Sequence, residues 1–277
     1  MDRIRRNERL AALTKILTTS PNRIYTLSHF CDLFGAAKST MSEDIDILKD
    51  VLATFSLGRL DTVTGAAGGV RFRPSIGRTE AHRLIADLCT ELMQPSRLLP
   101  GGFLYLSDIL SDPALVRSMG TILAEPYFES APDFVLTMET KGIPVALMTA
   151  EALGVPLVIA RRMSNVFEGT AVNINYVTGS SGHIETMSLS RRAVQAGQRA
   201  LIVDDFLKGG GTARGMIDLM GEFAVEVIGM AFVMETVAPA NRRIHGERAL
   251  MVMDMQPDEP ETLRIQPAAW LCENNPT

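Results

Sequence analysis

The chain opens on apolar positions at helical spacing. Between Arg5 and Leu17, residues Leu10, Leu13, Ile16 and Leu17 share one face and arginines the other, until Ser20, Pro21 and Asn22 stop the pattern. A second helix is predicted from its N-cap Thr26 to Phe34, with Leu27, Phe30, Leu33 and Phe34 as the apolar stripe. Gly35, Ala36 and Ala37 form a turn of small residues. A third helix then opens at Lys38, Ser39 and Thr40 and runs through Ile45, Leu48 and Leu52. Two predicted strands follow, Arg59–Val63 and Val70–Arg73, joined by the glycine-rich loop Gly65–Gly69. Three helices with that tight turn, closed by a hairpin, describe a winged helix-turn-helix.

Pro74–Gly77 breaks the pattern and reads as a linker, dividing the chain into residues 1–74 and 75–277. Beyond it, Arg78–Met93 is predicted helical and Leu99–Phe103 turn-rich. A βα rhythm then sets in. Strands are expected at Phe134–Met138, Val155–Ala160, Ala200–Val203 and Val227–Met234, and helices at Pro144–Leu153 and Ala213–Phe223. That alternation implies an α/β domain with a parallel sheet and a ligand site at the carboxyl ends of its strands. Gly169–Ser188, with Gly179–Gly182 at its centre, is expected to be a long polar loop. The region after Asn241 carries no motif, and the tail after Asp254 is expected to end in a few disordered residues.

Composition narrows the classes. With 277 residues, 46% of them hydrophobic, the chain can bury a sizeable core. Its longest apolar runs, such as Phe103–Leu106 and Leu201–Val203, fall far short of the roughly 20 residues of a membrane span. The basic first residues run straight into the helical pattern, so neither membrane nor secretion is expected and the protein is placed in the cytoplasm. Cys31, Cys89 and Cys272 are odd in number and far apart, which argues against a disulfide framework. His29, His82, His183 and His245 lack metal-ligand spacing, so no metal site built from protein side chains is expected. Up to Pro74 there are 11 Lys and Arg against 8 Asp and Glu, a balance of +3; the remainder has 16 against 24, a balance of −8. A basic segment on an acidic body points to an anionic partner for the first segment only.

The residues with the clearest chemistry lie at Ala200–Gly215. An apolar strand ends in Asp204 and Asp205; Phe206, Leu207, Lys208, Gly209, Gly210 and Gly211 follow, then Thr212, placed to cap the next helix. Such a loop presents backbone N–H groups to a phosphate, aided by the positive end of the helix. The carboxylates would repel that phosphate. They suit vicinal sugar hydroxyls or outer-shell contacts to hydrated Mg²⁺, so a sugar phosphate with free hydroxyls satisfies both halves.

This stretch resembles the signature of type I phosphoribosyltransferases, which binds the ribose 5-phosphate part of phosphoribosyl pyrophosphate. The resemblance implies that Asp204 and Asp205 meet the ribose and that Lys208 to Thr212 meet the 5-phosphate, with Phe206 and Leu207 also among the effector-binding residues. It also matches Thr140, Lys141 and Gly142 to the pyrophosphate loop, with Arg161 and Arg162 as further diphosphate contacts. Gly169–Ser188, including Tyr176, matches the mobile hood loop. One departure matters: transferases commonly carry a small residue and then Thr-Gly-Gly-Thr where this chain has Lys208, Gly209, Gly210, Gly211 and Thr212. Binding of a polyanion tolerates such a change more easily than transition-state alignment does.

Together with the basic first segment and Leu99–Leu110, these motifs resemble the purine operon repressors of Gram-positive bacteria. That resemblance implies a homodimeric, non-enzymatic repressor of purine biosynthesis genes. Phosphoribosyl pyrophosphate would be its inducer, guanosine tetraphosphate a second ligand of the same site, and Mg²⁺ a companion of the inducer with no obligatory cofactor. Operator DNA would be met by Lys38, Ser39, Thr40, Arg59, Arg71 and Arg73. An active purine phosphoribosyltransferase, of xanthine type, with an appended DNA-binding domain is the alternative reading, and a protein-binding scaffold is a third.

Overall fold

The computed structural model describes residues 4–65, 68–100, 103–163, 169–178, 183–238, 244–256 and 259–272. Two compact units divide the chain: Met1–Gly77 with Glu151–Gly154, and Arg78–Ala150 with Val155–Thr277.

In the first unit, α1 (Arg6–Thr19), α2 (Leu27–Phe34) and α3 (Lys38–Thr54) precede the antiparallel pair β1 (Arg59–Val63) and β2 (Gly69–Arg73). Thr26 caps α2, its hydroxyl accepting from the His29 N–H at 3.2 Å. Leu13, Leu17, Phe30, Met41, Ile45, Leu48 and Leu52 of the helices close over Leu60, Val70 and Phe72 of the hairpin. Each such side chain removed from water contributes about 1.5–3 kcal/mol. Leu33, expected in the α2 stripe, is instead 47% exposed, because the 8-residue helix is too short for its whole apolar face to reach the core. Part of the arginine face of α1 is used inside the unit. Arg6 and Arg9 pair with the fully buried Asp44 of α3 at 2.9 and 2.8 Å, clamping α1 to α3. The hairpin tip, residues 66–67, lies outside the described residues.

The second unit begins with α4 (Arg78–Leu92), the two-residue strands β3 (Leu98–Leu99) and β4 (Phe103–Leu104), and α5 (Pro113–Ala124). Then come β5 (Phe134–Met138), α6 (Ile143–Leu153), β6 (Leu157–Ala160), β7 (Ala171–Val177), β8 (Ile184–Ser190), β9 (Arg199–Leu207), α7 (Gly211–Glu222), β10 (Glu226–Thr236), β11 (Arg248–Gln256) and β12 (Glu259–Pro267). The main sheet has the order β12-β11-β10-β9-β5-β6. Its pairs are parallel except β11 with β12. From β5 the chain moves outward to β6, and from β9 it moves outward the other way, so the strand order reverses between β5 and β9. That switch point opens a crevice at the strands' carboxyl ends.

One expectation fails here. The segment from Gly169 to Ser188 is not a loop: β7 and β8 pair antiparallel from Ala171↔Ser190 to Val177↔Ile184. Val172, Ile174 and Tyr176 turn toward the core beside α7 while Asn173 and Asn175 face out. Only the centre of that segment, residues 179–182, lies outside the described residues. After Asp254, β12 covers the edge of the sheet; the end expected to be disordered falls on residues 273–277, outside the described residues.

Candidate functional site

Strand β9 carries its apolar residues Leu201, Ile202 and Val203 through the middle of the sheet and delivers Asp204 and Asp205 to the crevice. Asp204, 7% exposed, sits in register with Phe232 of β10. Burial and the neighbouring Asp205 charge push its carboxyl well above the usual carboxylate range. Burial also raises Asp205, opposed by its contact with Asp204 and by the Lys141 charge. The pair is held together locally, with the Asp205 N–H donating to Asp204 Oδ1 at 3.0 Å.

The chain turns after Leu207 through Lys208 and Gly209 to Gly210, which caps α7 with left-handed dihedrals (φ 73°) and no side-chain bond. Glycine adopts that conformation without strain. Thr212, expected as the cap, lies inside the first turn and meets the Tyr176 hydroxyl instead. With no side-chain cap, the amino end of α7 keeps the N–H groups and partial positive charge that attract a phosphate.

On the opposite wall, the loop after β5 places Lys141 at the crevice. Gly142 is required by a close approach: a Cβ there would come within 2.0 Å of Asp204 Oδ1 and 2.6 Å of Thr137 Oγ1. The Glu139–Thr140 peptide is cis. Arg162 forms an ion pair with Glu185 of β8 at 3.5 Å, and its N–H donates to Glu139 Oε1 at 2.7 Å. Arg161 turns to Glu139, 3.6 Å away. Tyr176 donates to Glu185 Oε2 at 2.8 Å, and burial together with that carboxylate pushes its pKa up to about 12.

A cavity of about 670 Å³ joins these groups. Lys141, Arg162, Tyr176 and the whole run from Asp204 to Thr212 line it. Thr140, Gly142 and Arg161 do not; Gly142 acts from behind Asp204, and Arg161 is committed to Glu139. Reading the sequence missed Glu185, which collects Tyr176 and Arg162, and an apolar wall of Phe103, Leu104, Leu106, Phe232 and Met253. Phe103 and Leu104 stand on β4, whose base is fastened by Arg97. That guanidinium is bidentate to Asp108 at 2.6 and 2.7 Å and also bonds Glu91 of α4. The cavity thus offers cations and a helix terminus to phosphates, buried carboxylates to hydroxyls, and an apolar wall.

The proposed DNA contacts divide. Lys38 and Ser39 are exposed at the start of α3, and Thr40 is half-buried. Arg59, Arg71 and Arg73 share one face of the hairpin with Asp61, because Arg59 is in register with Arg73 and Asp61 with Arg71. All three converge on the Asp61 carboxylate, at 3.2, 3.8 and 3.0 Å respectively. Arg73 is only 1% exposed, so it is a buried strut of the hairpin and not part of an outer surface. The positive balance of this unit overstates its free charge, since Arg6 and Arg9 also serve Asp44.

Among the described residues, no helix is long and apolar enough to cross a membrane. Residues 5–74 match the family described as bacterial purine repressor, N-terminal, and residues 106–251 match the phosphoribosyl transferase domain. In fold, the chain is similar to an adenine phosphoribosyltransferase from Thermoanaerobacter pseudethanolicus, with a TM-score of 0.52 and 20% identity over 61% of this chain and 99% of that one. A probable purine biosynthesis transcriptional regulator of Streptococcus pneumoniae is 46% identical over 83% of this chain and 84% of its own length. The purine biosynthesis transcriptional repressor of Bacillus subtilis is 39% identical over 97% and 94%, and the corresponding activator of Lactococcus lactis 41% over 91% and 93%. With a winged helix ahead of a phosphoribosyltransferase fold and these likenesses along nearly its full length, the chain belongs to the family of purine biosynthesis transcriptional regulators.

Proposed function

We propose that the protein represses purine biosynthesis genes by binding operator DNA, and that phosphoribosyl pyrophosphate, bound in the second unit, relieves that repression. The observation that carries this reading is the juxtaposition of Asp204 and Asp205 with the loop from Lys208 to Thr212 in one cavity. A ribose 5-phosphate matches that pair of chemistries, and Lys141 and Arg162 supply charge for a diphosphate on the other wall. Mg²⁺ would arrive on the diphosphate, with the carboxylates near enough to contact its water shell. Guanosine tetraphosphate, a polyphosphorylated ribose carrying a flat ring, suits the same cations and the apolar wall. Lys38 and Ser39 at the exposed start of α3 suit phosphate and base-edge contacts, and a homodimer would present two such helices to two half-sites.

The transferase fold serves here as a sensor. Lys208 and Gly209 stand where transferases carry a small residue and a threonine, adding a charge and removing a hydroxyl donor, which retains polyanion affinity without requiring the alignment that turnover needs. Nucleotide synthesis from phosphoribosyl pyrophosphate and a purine base above roughly one turnover per second, within the ordinary enzyme range, would reverse this assignment. The reading itself is tested by titrating purine-operon control DNA with the full-length protein, with and without phosphoribosyl pyrophosphate and Mg²⁺. Release of DNA by the ligand is expected; unchanged binding would overturn it.

A further inference from the structure

Thr137 has no place in the site described so far. It occupies the fourth position of β5, whose residues are all buried, and is itself wholly inaccessible. Its Oγ1 is nonetheless one of the few buried side-chain atoms, among the described residues, that lack a hydrogen-bond partner. A hydroxyl in that state carries an uncompensated desolvation cost, which native proteins accept mainly where function uses the group.

The position of the hydroxyl suggests that use. Asp204 Oδ1 and Thr137 Oγ1 border the same small space, 2.0 and 2.6 Å from the point a Cβ at Gly142 would occupy. That space stays open because residue 142 has no side chain. Asp204 in turn accepts the Asp205 N–H at 3.0 Å. An ionised carboxylate buried next to a second carboxylate is poorly supported, and a hydroxyl bordering the same space can supply a further donor.

We propose that Thr137 is a positioning residue for the effector: its hydroxyl, unpartnered in this structure, donates to the Asp204 carboxylate once the effector is bound and holds it, charged and oriented, for the sugar hydroxyls. This rests on the reading of Asp204 as a ribose contact. Gly142 is then constrained twice, by the approach of its own backbone and by the contact it must leave open between the two oxygens. Thr137 acts through Asp204 and touches no ligand, so its removal changes affinity and leaves the ligand-free fold intact.

The test uses Thr137→Val, which keeps volume and branching and removes only the hydroxyl, alongside Thr137→Ser, which keeps the hydroxyl. Binding of phosphoribosyl pyrophosphate with Mg²⁺ is measured by calorimetry on the full-length protein, and melting without ligand by scanning fluorimetry. Thr137→Val is expected to weaken binding about 5- to 10-fold with an equal or higher melting temperature, and Thr137→Ser to restore most of the affinity. In an Asp204→Asn background the valine substitution should change nothing further. Unchanged affinity in Thr137→Val, a clearly lower melting temperature, or the same loss in the Asp204→Asn background would each overturn the proposal. Wild-type protein that fails to bind the ligand would instead overturn the effector reading on which it rests.

Discussion

Replacing Asp204 by Asn should move stability and ligand affinity in opposite directions. In the free protein the Asp204 carboxyl is 7% exposed and its pKa is raised, first by burial and then by the charge of Asp205. A carboxyl raised on folding contributes stability that is complete below its unfolded value, near 3.9, and is lost as pH rises through the folded value. Above that value the wild-type protein therefore carries an ionisation cost that Asn does not, while the Asn Oδ1 still accepts the Asp205 N–H. The variant should melt higher than wild type at about pH 8, and the difference should close toward about pH 4. Ligand binding should show the reverse. A sugar hydroxyl bonded to a charged acceptor is worth about 1.5–3 kcal/mol, or about 10- to 150-fold in Kd. Solvent screening does not discount it at so buried a position. Scanning fluorimetry across that pH range, with calorimetry of phosphoribosyl pyrophosphate at fixed Mg²⁺, reads both quantities. A variant that melts lower at alkaline pH and binds the ligand as tightly as wild type would refute the reasoning on both counts.

The remaining expectations concern the two units separately. Asp44→Ala leaves Arg9, 11% exposed, without its partner and should cost about 3–5 kcal/mol, read as an early unfolding transition in urea. Lys38→Ala should weaken operator binding and lower its logarithmic salt slope by about one unit, whereas Arg73→Ala should lower the melting temperature of the first unit. Similar losses of both kinds in both variants would contradict the division between surface and strut. Arg97→Ala unties the start of the β3–β4 hairpin from Asp108 and Glu91 and should weaken the effector response with little change in ligand-free operator binding, measured by anisotropy.

Much of the architecture was legible because local patterns and tertiary packing agree. The three helices and the hairpin follow from apolar spacing, and the strand–carboxylate–glycine run from Ala200 to Thr212 forms a continuous wall of the cavity from Asp204 onward. Where the reading failed, either a pattern was overlooked or charge pairing intervened. Ala171–Val177 alternates apolar Val172, Ile174 and Tyr176 with Asn173 and Asn175, a strand signal masked by the polar and glycine residues around it. The run Ala249–Met253 is continuously apolar and forms β11, although no motif marks it. The arginines of the wing could not be sorted from sequence, because whether Arg59, Arg71 and Arg73 face outward depends on Asp61, which receives all three. The apolar wall of the cavity was equally hidden: Phe103 and Phe232 lie far apart in the chain and meet only through the fold.

The account stands or falls on whether the carboxylates of β9 sense the ligand that releases DNA. The direct measurement is a titration of phosphoribosyl pyrophosphate into preformed operator complexes of wild-type protein and of Asp204→Asn with Asp205→Asn, at fixed salt and Mg²⁺. The wild-type complex should dissociate as ligand is added, while the double variant binds operator equally well and stays bound. Identical release curves for the two proteins would contradict the account.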